Sequence, residues 1–183
     1  MAYTPESPVS ALPGIGPERA RAFARMGVLT LRDLLWHLPR AYENRGDVRL
    51  LRDGATDGEK NAFSLTVATE PRTALIRRGM SVTRFRAFDE SGSVEVVFFT
   101  QKSVRDICHT GAAFRFFGAL SLSRSGLQLT GPAYEPILPD RPLPAFVPRY
   151  PLCEGLSSKI VEKAVHAAAR ALLPTLPDPQ PED

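Results

Sequence analysis

Residues 81–100 read SVTRFRAFDESGSVEVVFFT. Two runs of period-two residues, Ser81–Asp89 and Ser93–Thr100, flank D-E-S-G-S at 89–93. Alternation on both sides of a short Gly- and Ser-bearing turn predicts a β-hairpin. Period two also separates the adjacent phenylalanines: Phe98 is in phase with Val94 and Val96, and Phe99 with Glu95 and Val97. Phe98 is therefore expected in a core. Phe99 is expected on the face that also carries a carboxylate.

The same period extends outward. Upstream, Phe63, Leu65 and Val67 alternate with Ser64, Thr66 and Ala68. Downstream, Ala112–Leu122 and Leu127–Thr130 are strand-like and joined by the R-S-G turn at 124–126. Between the third and fourth strands, QKSVRDICHTG at 101–111 has room for a short helix ending on Gly111. Five antiparallel strands with a helix in that place are the element order of an OB-fold barrel, whose open face binds single-stranded nucleic acid or oligosaccharide. The predicted class is α+β, mainly β, with the barrel over 60–135. An unrelated small β-barrel is the competing architecture.

Helical signals flank the barrel. Residues 1–11 read as a flexible lead. Over 12–46 a helical hairpin is expected: Pro17 opens a helix with Ala20, Phe23 and Ala24 inward and Gly27 as its stop. Thr30 and Asp33 then cap a second helix with Leu31, Leu34, Leu35 and Leu38 on its apolar face, ended by Pro39. After Gly131, seven prolines in PAYEPILPDRPLPAFVPRYPL exclude helix and interior strand, so 136–156 is expected to be an extended strap. A helix over 157–173 follows, started by Ser157 or Ser158, with Ile160, Ala164, Ala167, Ala168 and Ala171 as its apolar stripe. The proline-rich acidic tail 174–183 reads as a linker.

With 183 residues, 43% hydrophobic and 23% charged, the composition is that of a globular chain; disordered, collagenous and coiled-coil classes are excluded for its bulk. No apolar run approaches the length of a membrane helix, and the opening MAYTPESP carries no signal-peptide pattern, so a cytosolic chain is expected. Cys108 and Cys153 offer neither a disulfide framework nor a zinc site. Net charge is +3, but residues 71–130 hold nine Lys/Arg against four Asp/Glu, and 19 of the 23 basic residues in the chain are arginine. Arginine presents a planar fork to phosphate and stacks on rings, which makes a polyanion the natural partner. A solvated mixed-charge surface would account for the charge equally well.

Three places could carry that recognition. In Pro13-Gly14-Ile15-Gly16-Pro17 the turn into a helix resembles a helix-hairpin-helix element, where Gly14 and Gly16 would let backbone amides approach a phosphate; a plain helix connector has the same sequence. Phe99 could be a platform on which a base stacks, or an ordinary contact under a covering loop. Arg77 and Arg78, before Gly79 at the tip joining the first two strands, and Arg84 and Arg86, on one face of the second, could line a nucleic-acid groove or be simply solvated. No G-x-x-x-x-G-K-[ST] loop or Walker-B-like acidic strand end is present, and the adjacent Cys108 and His109 point in diverging directions. A reaction is not indicated.

The runs LPGIGP-x-RA at 12–20, DLLWHLPRAYENR at 33–45, VVFFTQ at 96–101, GALSLSRSGLQL at 118–129 and RYPLCEGLS at 149–157 closely resemble the N-terminal wedge region of the RecG helicase family, in the family's order and spacing. The resemblance implies an OB-fold wedge that docks at the branch point of a fork or Holliday junction and splits strands, in repair and recombination, while helicase motor lobes C-terminal to it pull the arms. It puts the stacking role on the Phe98-Phe99 pair, and Lys102 joins the DNA-binding candidates. A second aromatic, common in the family a few residues on, is replaced here by Gln101, Lys102 and Ser103. ATP and magnesium are expected only in the motor lobes, with no cofactor in this chain, and the setting implied is the bacterial cytoplasm, in association with the nucleoid. The rival readings are an enzyme, the chain itself acting as the family's ATP-dependent helicase, against which the missing phosphate loop stands; an OB-fold protein-interaction module; and a general single-stranded nucleic-acid-binding module.

Overall fold

A computed structural model describes residues 3–54, 58–101 and 103–175. In chain order the elements are α1 (Pro17–Arg25), α2 (Leu31–Trp36), β1 (Ala41–Asn44), β2 (Val48–Arg49), β3 (Lys60–Val67), β4 (Arg72–Arg77), β5 (Met80–Asp89), β6 (Gly92–Phe99), α3 (Ser103–Ile107), β7 (Ala113–Ser123), β8 (Gly126–Thr130), β9 (Ala133–Pro136), β10 (Phe146–Arg149) and α4 (Ser158–Leu172). They fall into two units, Asn44–Val147 and Met1–Glu43 with Pro148–Asp183.

The first unit contains a closed barrel of five strands. β3 pairs with β5, β5 with β6, β6 with β8, β8 with β7, and β7 returns to β3. All of these pairings are antiparallel except β6–β8, which is parallel through Val96↔Leu129. α3 lies between the third and fourth barrel strands. This is the OB-fold connectivity expected from the strand order.

Alternation explains the interior. Phe63, Leu65, Phe85, Val94, Val96, Phe98, Phe114, Phe116, Leu120 and Leu129 all point inward and are buried, with Val104 and Cys108 from the α3 segment packed into the same core. Each large side chain removed from water in this way contributes about 1.5–3 kcal/mol. Burial pushes the Cys108 thiol up to about 11, so it stays a protonated packing group. The turn between β5 and β6 is held by Asp89, whose Oδ1 accepts hydrogen bonds from the Ser91 N–H and hydroxyl and the Gly92 N–H, while its Oδ2 accepts from the Leu51 N–H.

Several strands lie outside the five-strand reading. β2 adds to β3, β9 to β7, β4 pairs with β5, and β1 and β10 form a separate two-stranded sheet. β9 includes Pro136, tolerable because that strand pairs on one side only. Farther along the proline-rich segment, the Pro144 carbonyl accepts from Arg115 Nη2 at 2.7 Å and the Ala145 carbonyl accepts from the Arg45 N–H. Gly46 must be glycine here, since a Cβ would come within 2.6 Å of that of Ala145.

In the second unit α1, α2 and α4 share a core of Phe23, Leu31, Leu34, Val161, Ala164, Ala168 and Leu172. The Thr30–Asp33 capping box is formed reciprocally, and the N–H groups of Leu29 and Thr30 hold the Asp33 carboxyl below its ordinary value. The expected flexible lead is instead ordered from residue 3: Val9 is buried, and Leu31 and Arg32 donate to the carbonyls of Ser7 and Pro5. Such bonds leave no periodic signature. Two phases also shift. α2 stops at Trp36, leaving Leu38 exposed, and the buried stripe of α4 runs through Val161 and Leu172 rather than Ile160 and Ala171.

Candidate nucleic-acid interface

The outward face of β5 and β6 is set by the ladder that joins them. Val82 stands opposite Phe99, Arg84 opposite Val97, and Arg86 opposite Glu95. Because directly opposed residues share a face, Val82, Arg84, Arg86, Glu95, Val97 and Phe99 lie on the face opposite Phe85, Val96 and Phe98; Val82 and Val97 on it are buried, and Arg84, Arg86 and Phe99 are exposed. Phe99 keeps 43% of its surface exposed, whereas Phe98 has none. Phe98 stacks on Phe85 at 6.3 Å and meets Tyr134 edge-on at 5.4 Å. Of the pair brought forward by resemblance, Phe98 therefore presents no surface to a ligand; it is a core residue.

The backbone immediately after Phe99 is unusual. Thr100 has φ 56°, a left-handed conformation that a β-branched residue resists, and its N–H donates to the Ser81 carbonyl at 2.8 Å. Strain of this kind is retained where the surroundings fix a side chain in place. Here it stops β6 at the exposed ring.

β4 was not visible in the sequence, and it brings a further basic residue to this face. Arg72 pairs directly with Arg84, and Ala74 with Val82. Neither Arg72 nor Arg84 makes a side-chain hydrogen bond or ion pair among the described residues. Arg86 donates to the Ser93 hydroxyl at 2.7 Å. Arg72, Arg84 and Arg86 border a groove of about 730 Å³, floored in part by Ala74 and Val82. The carboxylates along it are engaged. Glu95 accepts from Gln128 Nε2 at 2.8 Å, and Glu70, whose carboxyl is held below its ordinary value by the N–H and hydroxyl of Thr110, accepts that N–H at 3.1 Å.

Arg77 and Arg78 sit at the β4–β5 tip, both exposed. A β-bulge shifts the register between Leu75↔Ser81 and Arg77↔Met80. One extra residue moves Arg77 from the face of Leu75 to the face of Met80, Val82 and Arg84. The structure thus brings Arg77, Arg84 and Arg86 onto the face of Phe99, with Arg78 adjoining. Lys102 lies outside the described residues.

Gly14 and Gly16 belong to the other unit. Gly14 takes φ 84°, its carbonyl accepts from Arg19 Nη1 at 2.6 Å, and Gly16 is the N-cap of α1. Nothing lies within 4 Å of a Cβ at either position, so both backbones are open to solvent.

A buried ion network also escaped the sequence reading. Arg115 donates through Nε and Nη2 to Glu135 at 3.1 and 2.6 Å, Arg45 Nη1 reaches the other oxygen of the same carboxylate at 3.2 Å, and the Arg45 guanidinium covers the Phe117 ring. Both arginines are buried and held by contacts within the protein. No group of three His, Cys, Asp or Glu among the described residues could hold a metal ion, and none of the described helices is long and apolar enough to cross a membrane.

What this face can do is hold a polyanion along β5 and stack a planar ring at its end. The RecG wedge domain model matches residues 8–171. The chain is 31% identical over 163 residues to the ATP-dependent DNA helicase RecG of Streptococcus pneumoniae serotype 4, covering 88% of this chain and 23% of that protein. It is 24% identical over 170 residues to the ATP-dependent DNA helicase RecG of Pasteurella multocida, covering 90% and 24%. This chain thus spans about a quarter of the length of these curated relatives. A solved structure of RecG bound to a three-way DNA junction superposes with a TM-score of 0.83 over 100% of this chain and 25% of that one, at 23% identity, a likeness of fold. With its family model matched from the N-terminal helices through the barrel to α4, the chain belongs to the RecG wedge domain family.

Proposed function

We propose that this chain is the branched-DNA-binding wedge of a RecG-like ATP-dependent DNA helicase. It docks at the branch point of replication forks and Holliday junctions and keeps strands apart during repair and recombination. The observation that carries the reading is the track of arginines on β4 and β5, free of carboxylate partners at Arg72 and Arg84 among the described residues, ending beside the exposed ring of Phe99. The arginines take the phosphate backbone, a sequence-independent attraction that releases counterions. Phe99 takes an unpaired base, a stack that contributes about 1–3 kcal/mol. A single strand leaving a duplex offers both at once, whereas an intact duplex hides its base faces. Gly14 and Gly16 at the start of α1 are proposed as a separate backbone contact to phosphate.

On this reading ATP and magnesium are used by motor lobes C-terminal to this region, and the protein works in the bacterial cytoplasm beside the nucleoid. The chain's own part is to bind and to orient.

Titrating the purified chain with a labelled fork, a Holliday junction, a single strand and a blunt duplex at two salt concentrations tests the reading. The expected result is preference for the branched substrates, weakening with salt, and no ATP turnover with or without DNA. Equal affinity for the blunt duplex would overturn it. Single strand bound as tightly as fork would favour a general single-stranded nucleic-acid module instead.

A further inference from the structure

Leu75 and Ile76, at the end of the β4–β5 ribbon, remain 75% and 53% exposed. Two consecutive large aliphatic residues on an exposed strand that pairs on one side only are an aggregation hazard, which edge strands ordinarily blunt with charge. Here the charge is adjacent but directed elsewhere. The bulge that re-aims Arg77 leaves Leu75 on the opposite face, opposite Ser81, and makes Ile76 the extra residue with no partner across the ladder. Leu75 and Arg77 are thereby sorted to different faces of one hairpin tip, with Ile76 exposed between them.

A protein that bends or opens DNA commonly pushes Leu, Ile or Phe between base steps while arginines nearby hold the phosphates. This tip has both parts within four consecutive residues, Leu75 to Arg78. We propose that Leu75 and Ile76 form an apolar pin that enters the base stack at the branch point and unstacks the last base pair of an arm. The proposal rests on the branched-DNA reading above. Phe99 would then receive a base that is already unpaired, while the pin disturbs one that is still stacked. The occupant follows from charge: Arg77 and Arg78 directly follow the pin at the same tip, and neither makes an ion pair among the described residues, so what the tip enters carries negative charge beside an apolar interior. Stacked bases within a phosphate backbone meet that description.

The experiment uses a fork with 2-aminopurine in the pair next to the branch, its fluorescence read at saturating protein, with binding followed separately by anisotropy. The parent chain is expected to raise the fluorescence on binding. Leu75→Ser with Ile76→Ser should leave it at the level of the unbound fork although the fork is bound, and Leu75→Met with Ile76→Val should restore the rise. The Ser variant should melt with the parent chain, as both side chains are exposed. Arg77→Ala with Arg78→Ala should need more protein to saturate and still give the rise. An undiminished rise in the Ser variant, or a bound fork with no rise in the parent chain, would overturn the pin and leave the branched-DNA reading standing. Absence of fork binding in the anisotropy arm would remove both.

Discussion

Arg72 and Arg84 face each other directly across the β4–β5 ladder, two like charges with no carboxylate on either among the described residues. Such a pair opposes folding, a cost that the proposed phosphate contact would offset. Arg72→Glu converts it to an opposite-charge pair, which contributes about 0.2–1 kcal/mol. Thermal melting should therefore shift upward while fork affinity falls. A lower melting point with unchanged affinity would contradict the assignment.

Phe98 and Phe99 are adjacent in the chain, the first fully buried and the second 43% exposed. Phe98→Ala removes a ring packed on Phe85 and Tyr134 and should cost about 3–5 kcal/mol of stability. Phe99→Ala removes an exposed ring outside the core, and should cost less stability than Phe98→Ala. Its fork affinity should drop by about 1–3 kcal/mol, the contribution of one stack. Melting curves and binding titrations on both variants check this; an unaltered affinity for Phe99→Ala would remove the platform.

The bulge places Arg77 on the face of Arg84 and Phe99, the face proposed to bind DNA. Arg77→Ala with Arg78→Ala should weaken binding to forks of any sequence to a similar extent. The plot of log K against log salt should also flatten, by roughly 0.7–0.9 for each phosphate that the variant no longer neutralises. An unchanged slope would mean that the tip is only solvated.

Partial burial raises the Asp89 carboxyl, but the hydrogen bonds from Ser91, Leu51 and Gly92 outweigh it and hold the group below its ordinary value of 3.8. A carboxyl depressed in the folded state stabilises fully above the unfolded value and loses that contribution as pH falls through the folded one. The parent chain should thus lose this increment only below about pH 4. Asp89→Ala should cost about 1–2 kcal/mol at neutral pH, allowing for partial exposure, and should lack that acid-dependent part. Denaturant melts from pH 3 to 7 measure it.

The barrel was legible because its strands alternate cleanly: Phe63, Leu65 and Val67, then Val94, Val96 and Phe98, are all buried where period two puts them. The same rule separated Phe99 from Phe98 and put Arg84 and Arg86 on one face. β4 was illegible because Leu75 and Ile76 are consecutive apolar residues at a bulge, which breaks the alternation, and Pro71 stands at its entrance. Arg72 was missed with it. Glu135 meets Arg45 from 90 positions away, a separation at which sequence pattern carries no pairing information. Ser7 and Pro5 tie down the N-terminal segment through backbone carbonyls, and carbonyls have no residue type to read.

Arg115 is where the barrel unit would feel a pull. Its guanidinium donates at 3.0 Å to the Arg45 carbonyl, one residue after the chain enters the unit, and at 2.7 Å to the Pro144 carbonyl, three residues before the chain leaves it. Incoming and outgoing chain are therefore clasped by one side chain, itself anchored to Glu135 and rooted in β7. Tension on either connection that passes the β1–β10 pair loads this clasp before it reaches the ladders of the barrel. The barrel's hydrogen bonds are thereby shielded from forces that draw on the polypeptide at its borders.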